Sequence, residues 1–417
     1  MMPKNGEDVV VIGSGPAGLA TAIKAKETGV GEVILIERGE QPGGLLHQCV
    51  HNGFGLFYFK EDMTGPEYAH RFIEKVNDLK INLLLESMVL DITPDRKVTF
   101  CNKEGLFILQ PKAVVLAMGC RERSRQSIMI PGTRPAGVFT AGTAQRIVNV
   151  EGYLPGKEVV ILGSGDVGMI MARRLTLEGV EVKAVVEILP YIGGLIRNEV
   201  QCLHDFSIPL FLEHTVTQVH GMQRVEAVTV ARVDKKGEPI LGTERKIECD
   251  TFLLSVGLIP ENELSLKAGV ELDPVTGGPI VNEMMETNVS GIFAAGNVVH
   301  VNDLVDNVTL EGEMAAQGAA EYAMGKGIPV KRKINLKAGE NIRYIVPHTI
   351  TGEKEVTLRM RVREPKEKVT LKIGDVLTKS LRVVKPGEMV NMRLSTEQLG
   401  KIAKRATELV VSCEKRG

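Results

Sequence analysis

The chain has 417 residues, of which 43% are hydrophobic and 25% are charged, and its formal net charge is −1. This length allows two or three domains with sizeable cores, and the composition is ordinary for a soluble globular protein. No apolar run reaches the roughly 18 residues that a membrane span requires. The sequence therefore predicts neither a membrane span nor a signal peptide, and we expect a cytoplasmic location.

The charge is distributed unevenly along the chain. Residues 331–417 carry 21 Lys and Arg against 10 Asp and Glu, which leaves 30 against 42 for residues 1–330. A basic segment on an acidic body indicates electrostatic docking, either within the chain or to a partner. We expect no nucleic-acid partner, because this segment has one aromatic residue, Tyr344, and no platform for base stacking.

Six cysteines are scattered along the sequence, at positions 49, 101, 120, 202, 249 and 413. No two of them form a CxxC motif, which excludes a zinc ribbon and a dithiol redox motif of that spacing. Reduced thiols of this kind are typical of the cytoplasm. The sequence predicts no metal site.

The first predicted element is a buried strand at residues 8–12, followed by a glycine-rich turn and a helix. In the turn, Gly13 permits a tight bend, Gly15 lets the backbone approach a pyrophosphate, and Gly18 lets the helix pack close to the strand. The helix N-terminus presents free N–H groups and a positive dipole end to the phosphates. Glu37, at the tip of the next strand, can accept hydrogen bonds from ribose hydroxyls.

The same fingerprint recurs 150 positions later, as Gly163, Gly165 and Gly168 after an apolar run at residues 159–162. One such fingerprint is weak evidence, because glycines are common in turns and can serve conformation alone. Two copies, each with an acid 19 residues past the last glycine, predict two dinucleotide sites and therefore redox chemistry.

The acid of the second copy is Glu187. A carboxylate at this position favours a free ribose 2′-hydroxyl and repels a 2′-phosphate. The nearest downstream arginine is Arg197, ten residues away, so no basic cluster awaits such a phosphate. The second site is therefore predicted to bind NAD rather than NADP.

Two further segments, together with the first fingerprint, carry a resemblance to a known family. Residues 115–119 include Ala117 and Gly119, and residues 291–297 end in Gly296 and Asn297. With the first fingerprint, these segments make residues 8–327 resemble the flavoproteins with two dinucleotide-binding domains, FAD/NAD(P) oxidoreductases that include the thioredoxin and glutathione reductases. The resemblance implies FAD at the first fingerprint and NAD at the second.

The predicted cofactor-binding residues come from both fingerprints and from this resemblance. They are Gly13, Ser14, Gly15, Pro16, Ala17, Gly18, Glu37, Arg38, Gly44, Leu45, Val89, Ala117, Gly119, Gly163, Gly165, Asp166, Val167, Gly168, Glu187, Gly257, Gly296, Asn297 and Thr309. Asn297 stands where the family normally has an Asp that meets the flavin ribityl chain, and its amide can still hydrogen-bond a hydroxyl.

The disulphide chemistry of the family is not implied. Members of the lipoamide type have two cysteines after the glycine pair, whereas here the segment after Gly43 and Gly44 has one, Cys49. Residues 137–145, where thioredoxin reductases have a CxxC motif, contain no cysteine.

One subgroup of these flavoproteins is more similar to this chain. Residues 46–55, 64–68 and 119–123 resemble FAD-dependent oxidoreductases associated with anaerobic-type glycerol-3-phosphate dehydrogenases. The resemblance implies an electron relay between a substrate-oxidising dehydrogenase and NAD, with a small cysteine-bearing partner. Two alternatives stay open: a stand-alone NADH oxidase or dehydrogenase with its own acceptor, and a non-catalytic flavin-binding scaffold or redox sensor.

The loop after the glycine pair has an HxCxH pattern, His47, Cys49 and His51. Four interpretations are open: a loop against the flavin, a chemical role with Cys49 as a thiolate and candidate catalytic residue, a metal site, and simple packing. The metal interpretation is disfavoured, because this spacing fits neither a helix nor the usual zinc motifs.

Two other segments have alternative interpretations. The basic run at residues 121–125 either steers an anionic ligand or is a solvated linker. A helix predicted from Val308 to about Met324 either directs its N-terminus at the flavin, as in related flavoproteins, or is an ordinary amphipathic helix.

The predicted fold class is α/β, with two Rossmann-like domains, the second inserted in the first, and a small C-terminal β-rich, sandwich-like domain. The expected bounds are 1–120 with 252–327 for FAD, 121–251 for NAD and 328–417 for the β-rich domain, with 326–341 as a linker. Residues 355–363 alternate apolar and charged side chains, which predicts a half-buried strand. Ser395 begins a capping box for a short helix. We expect this domain to contact a partner or another copy of the chain.

Overall fold

The computed structural model describes residues 8–326, 333–402 and 406–416. Its backbone forms two compact units, one of residues up to 120 together with 260–417 and one of residues 121–259. The chain thus passes from the first unit to the second and back again. No helix within the described ranges has the length and apolar character to cross a membrane.

The first part of the first unit alternates strands and helices. Its elements are β1 (Val9–Ile12), α1 (Pro16–Glu27), β2 (Val33–Ile36), β3 (Asn52–Phe54), β4 (Met63–Thr64), α2 (Gly65–Asp78), β5 (Asn82–Leu84), β6 (Met88–Ile92), β7 (Val98–Asn102), β8 (Gly105–Leu109) and β9 (Ala113–Leu116). Helix α2 begins with a capping box formed by Thr64 and Glu67. Such a box satisfies N–H groups that would otherwise lack partners at the helix start.

The second unit repeats this order of elements. Its elements, with the two short strands at the chain crossings, are β10 (Cys120–Glu122), β11 (Val138–Thr140), α3 (Ala141–Asn149), β12 (Glu158–Leu162), α4 (Asp166–Leu177), β13 (Glu181–Val186), α5 (Ile196–Cys202), β14 (Leu210–Phe211), β15 (His214–His220), β16 (Ala227–Arg232), β17 (Arg245–Glu248), β18 (Thr251–Leu254) and β19 (Leu258–Pro260).

The chain then returns to the first unit and ends in a β-rich segment. Its elements are α6 (Glu263–Lys267), β20 (Ile292–Ala294), α7 (Val305–Ala323), β21 (Ile334–Ala338), β22 (Ile342–Val346), β23 (Thr349–Ile350), β24 (Val356–Val362), β25 (Lys366–Ile373), β26 (Leu377–Val384), β27 (Val390–Leu394), α8 (Thr396–Leu399) and β28 (Glu408–Lys415).

Each unit is built on a five-stranded parallel sheet, and the two sheets have equivalent orders. The first runs β20-β9-β1-β2-β5 and the second β11-β18-β12-β13-β14. In both, the strand before the glycine-rich turn lies at the centre and is almost fully buried, as its unbroken apolar sequence predicts. A three-stranded antiparallel sheet accompanies each, β6-β7-β8 and β15-β16-β17. The predicted α/β fold with two Rossmann-like parts is confirmed.

One boundary differs from the expectation. Residues from 252 onward were expected in the first domain, but β18 pairs with β11 and β12 in the sheet of the second unit. The return to the first unit comes at Pro260. An apolar strand carries no local signal for the sheet it joins, so the sequence could not place this crossing.

The β-rich C-terminal segment forms two sheets, β23-β21-β28-β25-β26 and β22-β24-β27. Their inner faces enclose a core of their own, to which Val356, Leu358, Met360 and Val362 contribute as the alternation predicted. The capping box at Ser395 and Gln398 is confirmed. The expected linker, residues 326–341, instead contains β21, while its residues 327–332 lie outside the described ranges.

Candidate functional site

The first glycine-rich turn joins β1 to α1. A side chain at Gly13 or Gly18 would clash with backbone, because the Cβ would lie 2.5 Å from the Ala117 carbonyl oxygen or 1.8 Å from that of Gly13. Gly15 differs, since a Cβ there would meet no atom within 4 Å. The space over the start of α1 is therefore open, which fits a phosphate held by backbone N–H groups.

The acid at the tip of β2 is tied to this turn. Glu37 Oε2 accepts from the backbone N–H of Ser14 at 2.8 Å and from its hydroxyl at 2.7 Å, while Oε1 accepts from the Gly39 N–H at 2.8 Å. The backbone carbonyl of Glu37 also accepts a hydrogen bond from the N–H of Ser87, and Ser87 lies two residues before the buried Val89. Glu37 thus connects the glycine-rich turn with the segments at Gly39 and Ser87.

A second turn, after β20, lies beside the first. A Cβ at Gly296 would lie 2.9 Å from the Ala17 Cβ, so the two turns are packed closely. The Asn297 side chain accepts from the Asn302 N–H at 2.9 Å through Oδ1, and its Nδ2 lies 3.7 Å from the Cys120 sulfur. The structure therefore places the turn of Gly296 and Asn297 next to Ala17 of the first glycine-rich turn.

Burial strongly disfavours a thiolate at Cys49. Desolvation raises the pKa of its thiol to about 12, and the sulfur donates to the Leu45 carbonyl at 3.3 Å. His47 Nε2 lies 2.5 Å from the Pro42 carbonyl oxygen and His51 Nδ1 lies 3.0 Å from that of Asn52. These bonds favour the loop interpretation.

No group of three or more His, Cys, Asp or Glu side chains suited to a metal occurs in the described part of the chain. The same part contains no disulphide bond, and all six cysteines are present as thiols.

The remaining residues predicted to bind FAD differ in how exposed their side chains are. Leu45 is 62% exposed, and Arg38 is exposed too. Thr309 is fully buried, and its hydroxyl is hydrogen-bonded to the Tyr68 hydroxyl at 2.7 Å. It lies on α7, which starts at Val305, three residues before the predicted start. Leu304 caps α7 without a side-chain hydrogen bond, so the sequence carried no start signal.

The second glycine-rich turn repeats the first. The backbone of Ser255 takes the place of Ala117, and a Cβ at Gly163 would lie 2.1 Å from its carbonyl oxygen. Glu187 Oε2 accepts from the N–H of Ser164 at 2.9 Å and from its hydroxyl at 2.6 Å, and Oε1 accepts from Leu189 N–H at 3.0 Å. The geometry at Glu37 therefore recurs in the second unit.

Helix α4 begins at Asp166, whose side chain serves the fold. Its Oδ1 accepts from the Leu195 N–H at 2.8 Å and from the Asn198 amide at 2.6 Å, which fixes the start of α5. The neighbouring Val167 is partly buried against the core of the unit. Gly257 has a φ of +99° and accepts from Arg123 N–H at 3.0 Å.

The basic run at residues 121–125 is not simply a solvated linker. Arg125 is 8% exposed and donates to the carbonyls of Ile130, Thr133 and Pro131 at 3.0, 2.5 and 2.7 Å. Its guanidinium thus holds the loop that follows. Ser14, Ser164 and Arg125 are residues whose structural roles sequence reasoning missed, since serine in a turn and arginine in a basic run have many uses.

Comparison with known proteins agrees with this geometry. The model of the family described as pyridine nucleotide-disulphide oxidoreductase matches residues 7–323. One of the subunits of the opine oxidase of Agrobacterium tumefaciens is 26% identical, over 76% of this chain and 64% of that protein. Hydrogen cyanide synthase subunit HcnB of Pseudomonas aeruginosa is 28% identical, over 63% of this chain and 59% of that protein. The chain therefore spans about three fifths of the length of these curated relatives.

A solved structure shows the same fold. The thioredoxin reductase of T. acidophilum superposes with a TM-score of 0.61 at 24% identity, over 76% of this chain and 98% of that one. Members of the matched family typically bind FAD and NAD(P). The chain belongs to the pyridine nucleotide-disulphide oxidoreductase family.

Proposed function

We propose that the protein is an FAD-dependent, NAD(H)-linked oxidoreductase that relays electrons between a nicotinamide and a dehydrogenase partner. The observation that carries this proposal is the duplicated turn, in which a glutamate at a strand tip binds a serine of the phosphate loop in each unit. Two such turns supply two dinucleotide sites, one for each cofactor of a flavin–nicotinamide reaction.

In this proposal the first unit holds FAD and the second holds NAD. FAD, when bound, supplies the chemistry of accepting a hydride from a reduced nicotinamide. The chain contributes binding and orientation: the open position at Gly15 admits the pyrophosphate, Glu37 binds the ribose, and the Asn297 side chain meets the ribityl chain. No side-chain acid or base is required for this half-reaction.

Selectivity for NAD over NADP rests on Glu187. Its carboxylate is held by Ser164 and Leu189 at the end of β13, and it is only 6% exposed. A 2′-phosphate placed beside this carboxylate would have to be desolvated next to a like charge, which is costly. A free 2′-hydroxyl can instead donate a hydrogen bond to it.

The partner in the proposal is a dehydrogenase of the anaerobic glycerol-3-phosphate type, together with a small cysteine-bearing electron carrier. Two relatives are, by name, subunits of an oxidase and of a synthase, which supports a chain that works within an assembly. A dehydrogenase gene next to the gene for this chain would support the same partner. The proposed location is the cytoplasm, and the proposed role of the β-rich segment is contact with the partner or with another copy of the chain.

Steady-state turnover tests the relay. The purified protein should oxidise NADH with artificial acceptors, yet oxidise it far more slowly when small natural acceptors replace them. Rapid turnover with one such natural acceptor would favour a stand-alone NADH oxidase or dehydrogenase. A bound flavin that NADH does not reduce would favour a scaffold or sensor.

A further inference from the structure

A buried ion pair connects the β-rich C-terminal segment with the turn that carries Asn297. Arg359 lies on β24 and its side chain is 3% exposed, while Glu311 lies on α7 and is fully buried. Their charged atoms, Arg359 Nε and Glu311 Oε1, are 3.4 Å apart. Burial of two such charges is costly unless each has the other as a partner.

The same carboxylate braces the turn. Glu311 Oε2 accepts from the Gly296 N–H at 3.0 Å and lies 3.4 Å from the Asn302 amide nitrogen. The other oxygen lies 2.7 Å from His300 Nε2. Since Asn302 N–H in turn donates to Asn297 Oδ1 at 2.9 Å, Glu311 supports both ends of the segment from 296 to 302.

Electrostatics keep this carboxylate charged. Burial alone would raise the pKa of Glu311, but the charges of His300 and Arg359 and the hydrogen bonds from His300 and Gly296 outweigh it, so the pKa lies below its ordinary value. An ionised carboxylate accepts stronger hydrogen bonds than a protonated one. Arg359, whose guanidinium stays charged at ordinary pH, therefore contributes to the hydrogen bond between Glu311 and Gly296.

Three more hydrogen bonds join the β-rich C-terminal segment to the residues that follow the Asn297 turn. Arg361 donates to the Val301 carbonyl at 3.2 Å, Met389 N–H donates to Asp303 at 2.8 Å, and the Asn391 amide donates to Asn307 at 3.3 Å. All three acceptors lie in the segment from Val301 to Asn307, which follows the Asn297 turn and includes the first turn of α7. The polar face of β24 thus lies against this segment at Arg359 and Arg361, whereas Asn391 and Arg393 on the adjoining β27 are exposed.

We infer that Arg359 is a positioning residue for FAD: through Glu311 it fixes the Gly296–Asn297 turn against the Ala17 end of the first fingerprint. The β-rich segment is then part of the flavin site as well as a surface for a partner. The inference rests on the proposed binding of FAD to the first unit.

FAD titration of the apoprotein tests this inference. Arg359→Met keeps an unbranched side chain but removes the charge, and it should weaken FAD binding by about tenfold, as loss of a residue that supports a ligand contact commonly does. Arg359→Lys retains a charge near Glu311 and should recover part of the affinity. Arg393→Met is the matched control, because Arg393 is 72% exposed and pairs with Glu355 on the surface of the same segment.

The unfolding midpoint of each apoprotein in urea is measured alongside. If Arg359→Met lowers the midpoint but leaves the FAD dissociation constant at the wild-type value, Arg359 is only structural and the inference is wrong. If Arg359→Met does not fold, Arg359→Gln, which keeps polar atoms beside Glu311 without the charge, is titrated in its place, and wild-type FAD affinity in Arg359→Gln overturns the inference. A wild-type chain that binds no FAD would contradict the proposed function instead, and the inference with it.

Discussion

Ser14 donates two hydrogen bonds to one carboxylate oxygen of Glu37, from its backbone N–H at 2.8 Å and from its hydroxyl at 2.7 Å. Ser164 and Glu187 repeat the arrangement at 2.9 and 2.6 Å. In each unit, the acid predicted to bind a ribose is therefore held by the turn predicted to bind phosphate. These hydrogen bonds fix the position of each acid, which lowers the entropic cost of nucleotide binding.

The glycines of the first turn should separate folding from cofactor binding. Gly15 has φ −67° and an open Cβ position, so Gly15→Ala should leave the apoprotein's unfolding free energy unchanged or raise it by up to about 1 kcal/mol. Its methyl group would occupy the space expected for the pyrophosphate, and FAD should bind at least about tenfold more weakly. Urea unfolding and FAD titration measure the two effects.

Gly18→Ala is the matched contrast. Its Cβ would lie 1.8 Å from the Gly13 carbonyl oxygen, so the helix must move away from the strand. We expect a loss of about 3 kcal/mol in unfolding free energy. Equal stabilities for Gly15→Ala and Gly18→Ala would show that the two glycines do not have the separate roles assigned to them.

Glu187 should set the nucleotide preference. The wild-type protein should bind NADH more tightly than NADPH. Glu187→Gln should reduce the ratio of the NADPH to the NADH dissociation constant by about tenfold, because the charge that opposes a 2′-phosphate is removed. Dissociation constants from fluorescence titration provide the measurement. Glu181→Gln is the control, since Glu181 is exposed and pairs with Lys183 in the same unit. Preference for NADPH in the wild type would place Glu187 away from the ribose.

Alkylation of Cys49 should be slow, and its rate should continue to rise as the pH is raised well above neutral. With a pKa of about 12, only about one thiol in 10,000 is ionised at pH 8, against about one in four for an ordinary thiol. A more basic thiolate is more nucleophilic, which offsets part of this difference, so we expect iodoacetamide to react at least about tenfold more slowly than with glutathione. Peptide mass spectrometry at several pH values gives the rate, and a plateau near pH 8 would contradict it.

Replacement of the same thiol should leave the reductive half-reaction nearly intact. Cys49→Ser should reduce its flavin with NADH at close to the wild-type rate, since the transfer requires oriented rings and no side-chain proton donor. Stopped-flow absorbance follows this step, and reoxidation by the partner is followed separately. Cys101→Ser, on β7, is the control. A collapse of flavin reduction in Cys49→Ser, with FAD still bound, would assign chemistry to this loop.

The sequence predicted the parts that follow local rules. A glycine that avoids a carbonyl, an acid at a strand tip and an apolar run before a turn each leave a signal within a few residues. Their duplication predicted the two parallel sheets and their central strands. The match of sheet order in the two units then follows from the repeat of 150 positions.

The parts that it missed depend on contacts between distant residues. The alternation along β24 is the same whether its charged face meets water or protein, so nothing indicated that Arg359 would be buried against Glu311, 48 positions earlier. Arg125 was likewise indistinguishable from a solvated basic residue until its three carbonyl partners were seen. Strand β21 was missed because polar residues interrupt its apolar ones, and β23 because it has only two residues, whereas β22 is largely apolar and left a signal that could have been found.

Anaerobic mixing of the purified protein with NADH tests the central claim most directly. The account predicts a yellow protein that releases non-covalent FAD on denaturation, and a visible flavin absorption band that bleaches on mixing, faster with NADH than with NADPH at equal concentration. A colourless protein that cannot be reconstituted with FAD, or a bound flavin whose band stays unchanged with either nucleotide, would contradict it.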